Sequence, residues 1–71
     1  MTLSQLEIFT RVAELKSFTL AAMSLNISQS AVSHAIKSLE KDFNVSLFTR
    51  EQNQVTLTEI GNTLLNRAQH I

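Results

Sequence analysis

Cysteine, proline, tryptophan and tyrosine are missing from this chain, and glycine occurs once, at Gly61. Each absence removes a class of protein. Without cysteine there is no disulfide framework and no thiolate metal site, and the two histidines, His34 and His70, supply no ligand spacing of their own. With no proline and a single glycine, a turn-rich all-β architecture lacks its turn formers, and no glycine-rich phosphate loop can be built. Residues 1–10 carry Glu7 and no long apolar run, so neither a signal peptide nor a membrane span is expected there. These absences predict a soluble chain, cytoplasmic by default, with no membrane partner, no cofactor and no metal.

What is present suffices for one small core. Seventy-one residues at 44% hydrophobic make a single domain, and a chain this short buries only roughly 60% of its unfolded surface. Six basic residues balance six acidic ones, which taken alone argues against a polyanionic partner. The distribution argues the other way. Residues 15–39 contain no Asp or Glu, while Lys16, His34 and Lys37 lie within that stretch. A polyanion could approach such a surface despite the neutral total.

The apolar periodicity predicts four helices and a hairpin, hence a mostly α fold. Leu3, Leu6, Phe9 and Ala13, widened by Ile8, Val12 and Leu15, mark a largely buried helix over residues 4–14. Ser17 is placed to cap a short helix over residues 18–25, whose Ala21 and Ala22 admit a close neighbour, and Asn26 suits a left-handed terminus. Ser28 caps the third helix, where Val32, Ala35, Ile36, Leu39 and Phe43 form the core stripe. At about 100° per residue, Ser30, Ser33, His34, Lys37 and Lys41 share the opposite face, and Asn44 ends the helix. Residues 45–50 and 54–57 are β-friendly runs that predict a small hairpin. Thr58 caps a last helix with Ile60, Leu64, Leu65, Ala68 and Ile71, a stripe still running at the last residue, as expected of a fragment of a longer helix. Phe9, Phe18, Phe43 and Phe48 are expected in the core, and Gly61 at a point of close packing.

Helix, short helix, turn, longer helix, hairpin, helix is the order of a winged helix-turn-helix. The segment "SFTLAAMSLNISQSAVSHAIKSLEKDFNVSLFTR" followed by "VTLTEIG" resembles the amino-terminal DNA-binding domain of LysR-type transcriptional regulators. The likeness is carried by Ser17-Phe18, Ala21-Ala22, Leu25, Ser28-Gln29, Ala31, Ser33, Ile36, Leu39-Glu40, Leu47-Phe48, Arg50, Leu57-Thr58 and Gly61. It implies a bacterial regulator with a winged helix-turn-helix over residues 1–57 and the start of a linker helix over 58–71. It also implies an effector-binding domain beyond this chain, through which alone a small molecule would act. Homodimerisation through Leu64, Leu65, Ala68 and Ile71 is expected on the same ground. The chain departs from the family's usual residues at Ser30 (for Pro), His34 (for Arg), Ala35 (for Gln), Asn44 (for Gly), Asn53 (for Arg) and Ile60 (for Ala).

On this reading the third helix, about residues 28–43, enters the major groove of double-stranded DNA and the wing lies on the backbone. Ser28 and Gln29 sit at the helix amino end, where free N–H groups and the dipole attract phosphate, and Gln29 can pair with an adenine edge. Ser30 and Ser33 are short hydroxyls that permit close approach. His34 can donate to guanine or phosphate when protonated, Lys37 and Arg50 are fixed cations, and Asn53 with Gln52 are neutral wing contacts. A bland solvated face is the competing account of the serines, as is surface pairing for Lys41, flanked by Glu40 and Asp42, and a solvated turn for Lys16. Catalysis by Ser33, His34 and Glu40 fails on geometry, because adjacent helical residues point about 100° apart. A winged helix used for protein partners is the remaining alternative; it predicts apolar residues on the outer face of the third helix, and Ser30, Ser33, His34, Lys37 and Lys41 are all polar.

Overall fold

The computed structural model describes residues 1–51 and 54–70. Its elements in chain order are α1 (Leu3–Leu15), α2 (Phe18–Leu25), α3 (Gln29–Phe43), β1 (Phe48–Glu51), β2 (Gln54–Leu57) and α4 (Glu59–Ala68). Every helix begins at a hydroxyl cap. Ser17, Ser28 and Thr58 each accept from an amide of the first turn, which satisfies a donor that no helical carbonyl can reach. Thr2 does the same for α1 in a reciprocal box with Gln5, a start signal that the apolar periodicity alone did not reveal.

The first three helices end on residues in the left-handed conformation: Lys16 (φ 54°), Asn26 (φ 58°) and Asn44 (φ 53°). Both asparagines stand where the sequence predicts them, because a short polar side chain tolerates that conformation. Lys16 is held there despite its Cβ. The turn it makes with the Ser17 cap is only two residues long, between α1 and α2.

Helices α1, α2 and α3 enclose a core of Phe9, Val12, Phe18, Ala21, Ala22, Val32, Ile36, Leu39 and Leu47. Ala21 and Ala22 are the small contacts that bring α2 against its neighbours. The hairpin pairs Phe48 with Leu57 and Arg50 with Val55 in antiparallel register, and α4 packs across α1 and β2.

Three expectations need correction. The first strand begins at Phe48 and not at residue 45, because the backbone before it is already committed. The Val45 amide bonds to Glu40 O, Ser46 O accepts from Thr58 Oγ1, and Leu47 O accepts from the Thr58 amide. The last of these continues the hairpin register by one bond, but the Leu47 amide that would complete the pair donates to Glu40 Oε2, and the groups before it serve helix ends, so the ladder stops there. Leu47, 1% exposed, turns its side chain into the core instead. Phe43, the last residue of α3, is 48% exposed despite its place on the stripe, and it rims a shallow apolar groove with Val45, Leu47 and Ile60. Leu3 is likewise 81% exposed, since the first turn of α1 extends past the body it packs on.

Gly61 behaves as expected. A Cβ there would overlap the carbonyl oxygen of Leu47 and lie 3.0 Å from Leu57 Cδ2, so the approach of α4 to the loop needs a residue without a side chain.

Candidate nucleic-acid interface

The outward face of α3 carries Ser30, His34, Lys37 and Lys41 exposed, with Ser33 half-buried on the edge toward the hairpin. Ser28 Oγ accepts from the Ala31 amide at 3.0 Å, which leaves its hydroxyl proton free to donate. The amides of Gln29 and Ser30 precede any helical acceptor and stand open at the amino end. Three of the expected contact residues, Ser28, Gln29 and Ser30, therefore converge at one end of one helix.

Glu40 explains why this face bears no negative charge. It is half-buried, and its Oε2 accepts from the Leu47 amide at 2.7 Å, a bond that turns the carboxylate off the outward face and into the loop before β1. A hydrogen bond to an ionised acceptor is short and strong, so the side chain has reason to stay there. Asp42 is occupied too, by the chain's amino terminus at 2.8 Å. The expected pairing of Lys41 with these neighbours does not form. Among the described residues the ion pairs are Met1–Asp42 and Arg11–Glu14, which leaves Lys41 in neither.

Arg50 projects from β1 beside this face. Its guanidinium lies over the Phe18 ring, 4.2 Å from the centroid. Together with Lys16, Ser17, Thr19, Gln29 and Gln54 it lines an open groove of about 680 Å³ between the hairpin and the amino ends of α2 and α3. A smaller pocket, about 250 Å³, separates α3 from the hairpin and brings Ser33, Lys37, Ser46 and Arg50 together, with Glu40 also on its wall. Two cations and several hydroxyls thus border the first turns of two helices, a chemistry suited to phosphate oxygens. From the sequence, Lys16 is a cation of the carboxylate-free stretch with a solvated turn as its competing account. Its place in the groove comes from the α1–α2 turn folding back beside Gln29, which no spacing along one helix could reveal.

Not every expected site residue joins this cluster. Asn53 and Gln52 lie outside the described residues, as does Ile71. Leu64, Leu65 and Ala68 are half-buried, with Leu64 and Leu65 packed against the domain's own core. They belong to a different side of the molecule from the α3 face.

A three-helix body with a helix-turn-helix pair, a two-stranded wing and a following helix is a winged helix-turn-helix domain. The family model described as "Bacterial regulatory helix-turn-helix protein, lysR family" matches residues 3–62, and this chain belongs to that family. It is 54% identical over 67 residues to an HTH-type transcriptional regulator, y4mQ, of Sinorhizobium fredii, covering 94% of this chain and 22% of that protein. It is 46% identical over 71 residues to the HTH-type transcriptional regulator CfxR of Cupriavidus necator, covering 100% of this chain and 22% of that one. The chain therefore spans about a fifth of the length of these curated relatives. Among solved structures, it is similar to the BenM DBD in complex with catB site 1 DNA at a TM-score of 0.94 and 34% identity, over 99% of this chain and 78% of that one. Among the described residues no helix is long and apolar enough to cross a membrane.

Proposed function

We propose that this chain is the operator-reading domain of a bacterial LysR-type transcriptional regulator, with α3 in the major groove of double-stranded DNA and the hairpin on the backbone. The observation that carries this is the outward face of α3: polar and exposed at Ser30, His34, Lys37 and Lys41, bordered by Lys16 and Arg50, with the nearest carboxylate, Glu40, bonded to the Leu47 amide. The similarity to a DBD in complex with DNA supports the same docking. Phosphate contacts at the two helix amino ends, Lys37 and Arg50 would set the register, and Gln29, Ser30, Ser33 and His34 would face base edges.

Dimerisation through the continuation of α4 is part of the proposal. Leu64 and Leu65 are shared between the domain's own core and that seam, with Ala68 and Ile71 extending it. Two-fold symmetry then calls for a palindromic site read by two copies of α3. With three or four cationic contacts per subunit, counting a charged His34, a dimer would neutralise about six to eight phosphates and show a log–log salt slope of about −5 to −7. A small-molecule effector would act through a domain outside this chain, and the expected setting is the cytoplasm. The relatives are named as transcriptional regulators, which supports a role without catalysis for this domain.

The test is fluorescence anisotropy of the folded protein with duplexes from its own upstream region, at two salt concentrations. Binding that weakens steeply with salt and favours one duplex over a scrambled one is the expected result. No binding at low salt would refute DNA reading and favour a protein partner.

A further inference from the structure

Successive residues of a strand point to opposite faces. Thr49 points outward, where its hydroxyl meets that of Thr56 at 2.7 Å, while Phe48 and Arg50 share the inner side of the hairpin. Phe48 packs against Phe9 with ring centroids 5.4 Å apart, and edge-on against Phe18 at 6.0 Å. Arg50 then covers the open face of Phe18. A continuous stack therefore runs from the core, through two rings, to an exposed cation at the mouth of the groove.

The stacking geometry matters because of how guanidinium uses its surfaces. Its flat faces hydrate poorly and sit well on an aromatic ring, while its N–H donors all lie in the plane and point along the edges. Covering one face leaves every edge donor available. Neither ion pair among the described residues involves Arg50, and the carboxylate that shares its small pocket, Glu40, is bonded to the Leu47 amide instead. A free arginine on a hairpin would have to give up rotamer freedom on meeting a phosphate, and here the ring has already taken much of it.

We propose that Phe18 is a positioning residue for DNA binding, whose ring holds the Arg50 guanidinium at the groove between the hairpin and the helix amino ends with its N–H edge offered to a backbone phosphate. This rests on the DNA-binding reading above. Phe18 itself is 7% exposed and touches no ligand; it acts through Arg50. The expected loss on removing the ring is about two- to fivefold in affinity per subunit, the range of an exposed cation–π contact.

The experiment is a double-substitution cycle of Phe18→Leu and Arg50→Ala, with affinity for a random-sequence duplex followed across a salt series at a temperature where all four proteins are folded. Phe18→Leu is expected to weaken binding and make the salt slope shallower by up to about 0.9 per subunit. In the Arg50→Ala background it should cost almost nothing further. The Arg50 Nε–Hε resonance of the unbound protein gives a second readout: ring current should shift it upfield in the parent and not in Phe18→Leu. Phe18→Tyr, which keeps the ring, should restore both. If the parent binds duplex but Phe18→Leu keeps its affinity and slope, or weakens equally with and without Arg50, the proposal falls while DNA binding stands. A folded parent that binds no duplex overturns both.

Discussion

Replacing Gly61 by alanine should destabilise this domain, although the same change in an ordinary helix stabilises it. Glycine costs a helix about 1 kcal/mol relative to alanine, so the local effect favours the substitution. Against it stands the Leu47 carbonyl, which the new methyl would overlap, with Leu57 Cδ2 at 3.0 Å and Leu47 C at 3.1 Å closing the remaining space. That carbonyl cannot swing aside freely, because it accepts from the Thr58 amide at 3.0 Å. The backbone of the loop or the whole of α4 has to shift, which places the cost near the upper end of overpacking, about 3 kcal/mol. The net loss is about 2 kcal/mol, and at about 4–8 °C per kcal/mol for a domain of this size the melting temperature should fall by about 8–16 °C. Thermal and urea denaturation followed by circular dichroism measure this directly. Asn62→Ala, exposed one residue further along, serves as the control and should change little. A Gly61→Ala protein that melts at or above the parent temperature would refute the packing argument.

Glu40→Ala should cost about 1–2 kcal/mol by orphaning the Leu47 amide, with Glu40→Gln costing about half as much, both read from urea midpoints; equal stability of all three would show the bond to be idle. Lys16→Gly should raise the melting temperature, since it relieves a left-handed residue worth about 1 kcal/mol, while weakening DNA binding by removing a groove cation; a drop in stability would contradict the strain. Lys37→Ala should leave stability within about 0.5 kcal/mol and make the salt slope of binding shallower by about 0.9 per subunit, and an unchanged slope would take Lys37 off the phosphates. His34→Ala should leave stability within about 0.5 kcal/mol and weaken DNA binding, and an unchanged affinity would mean that His34 makes no contact with DNA.

The helical plan was legible because it rests on local chemistry. A hydroxyl at the right offset caps a helix, asparagine takes the left-handed turn, and apolar residues three and four apart share a face, so Ser17, Ser28, Thr58, Asn26 and Asn44 could be placed without neighbours. The outward face of α3 followed from the same periodicity. Phe43 misled the reading for a related reason. Periodicity states which side of a helix a residue faces, not how far along its axis the neighbouring body extends, and Phe43 lies where that body ends.

By itself, the sequence determined where α2 and α3 start and stop, where α4 starts and which face of α3 is polar, because those depend on residues within a turn or two of each other. Tertiary structure alone decided three things: the carboxylate of Glu40 turns into the loop, Arg50 lies over Phe18, and Lys16 joins Gln29 in one groove. Each links side chains from different elements, and their separation is set by how the elements pack in three dimensions.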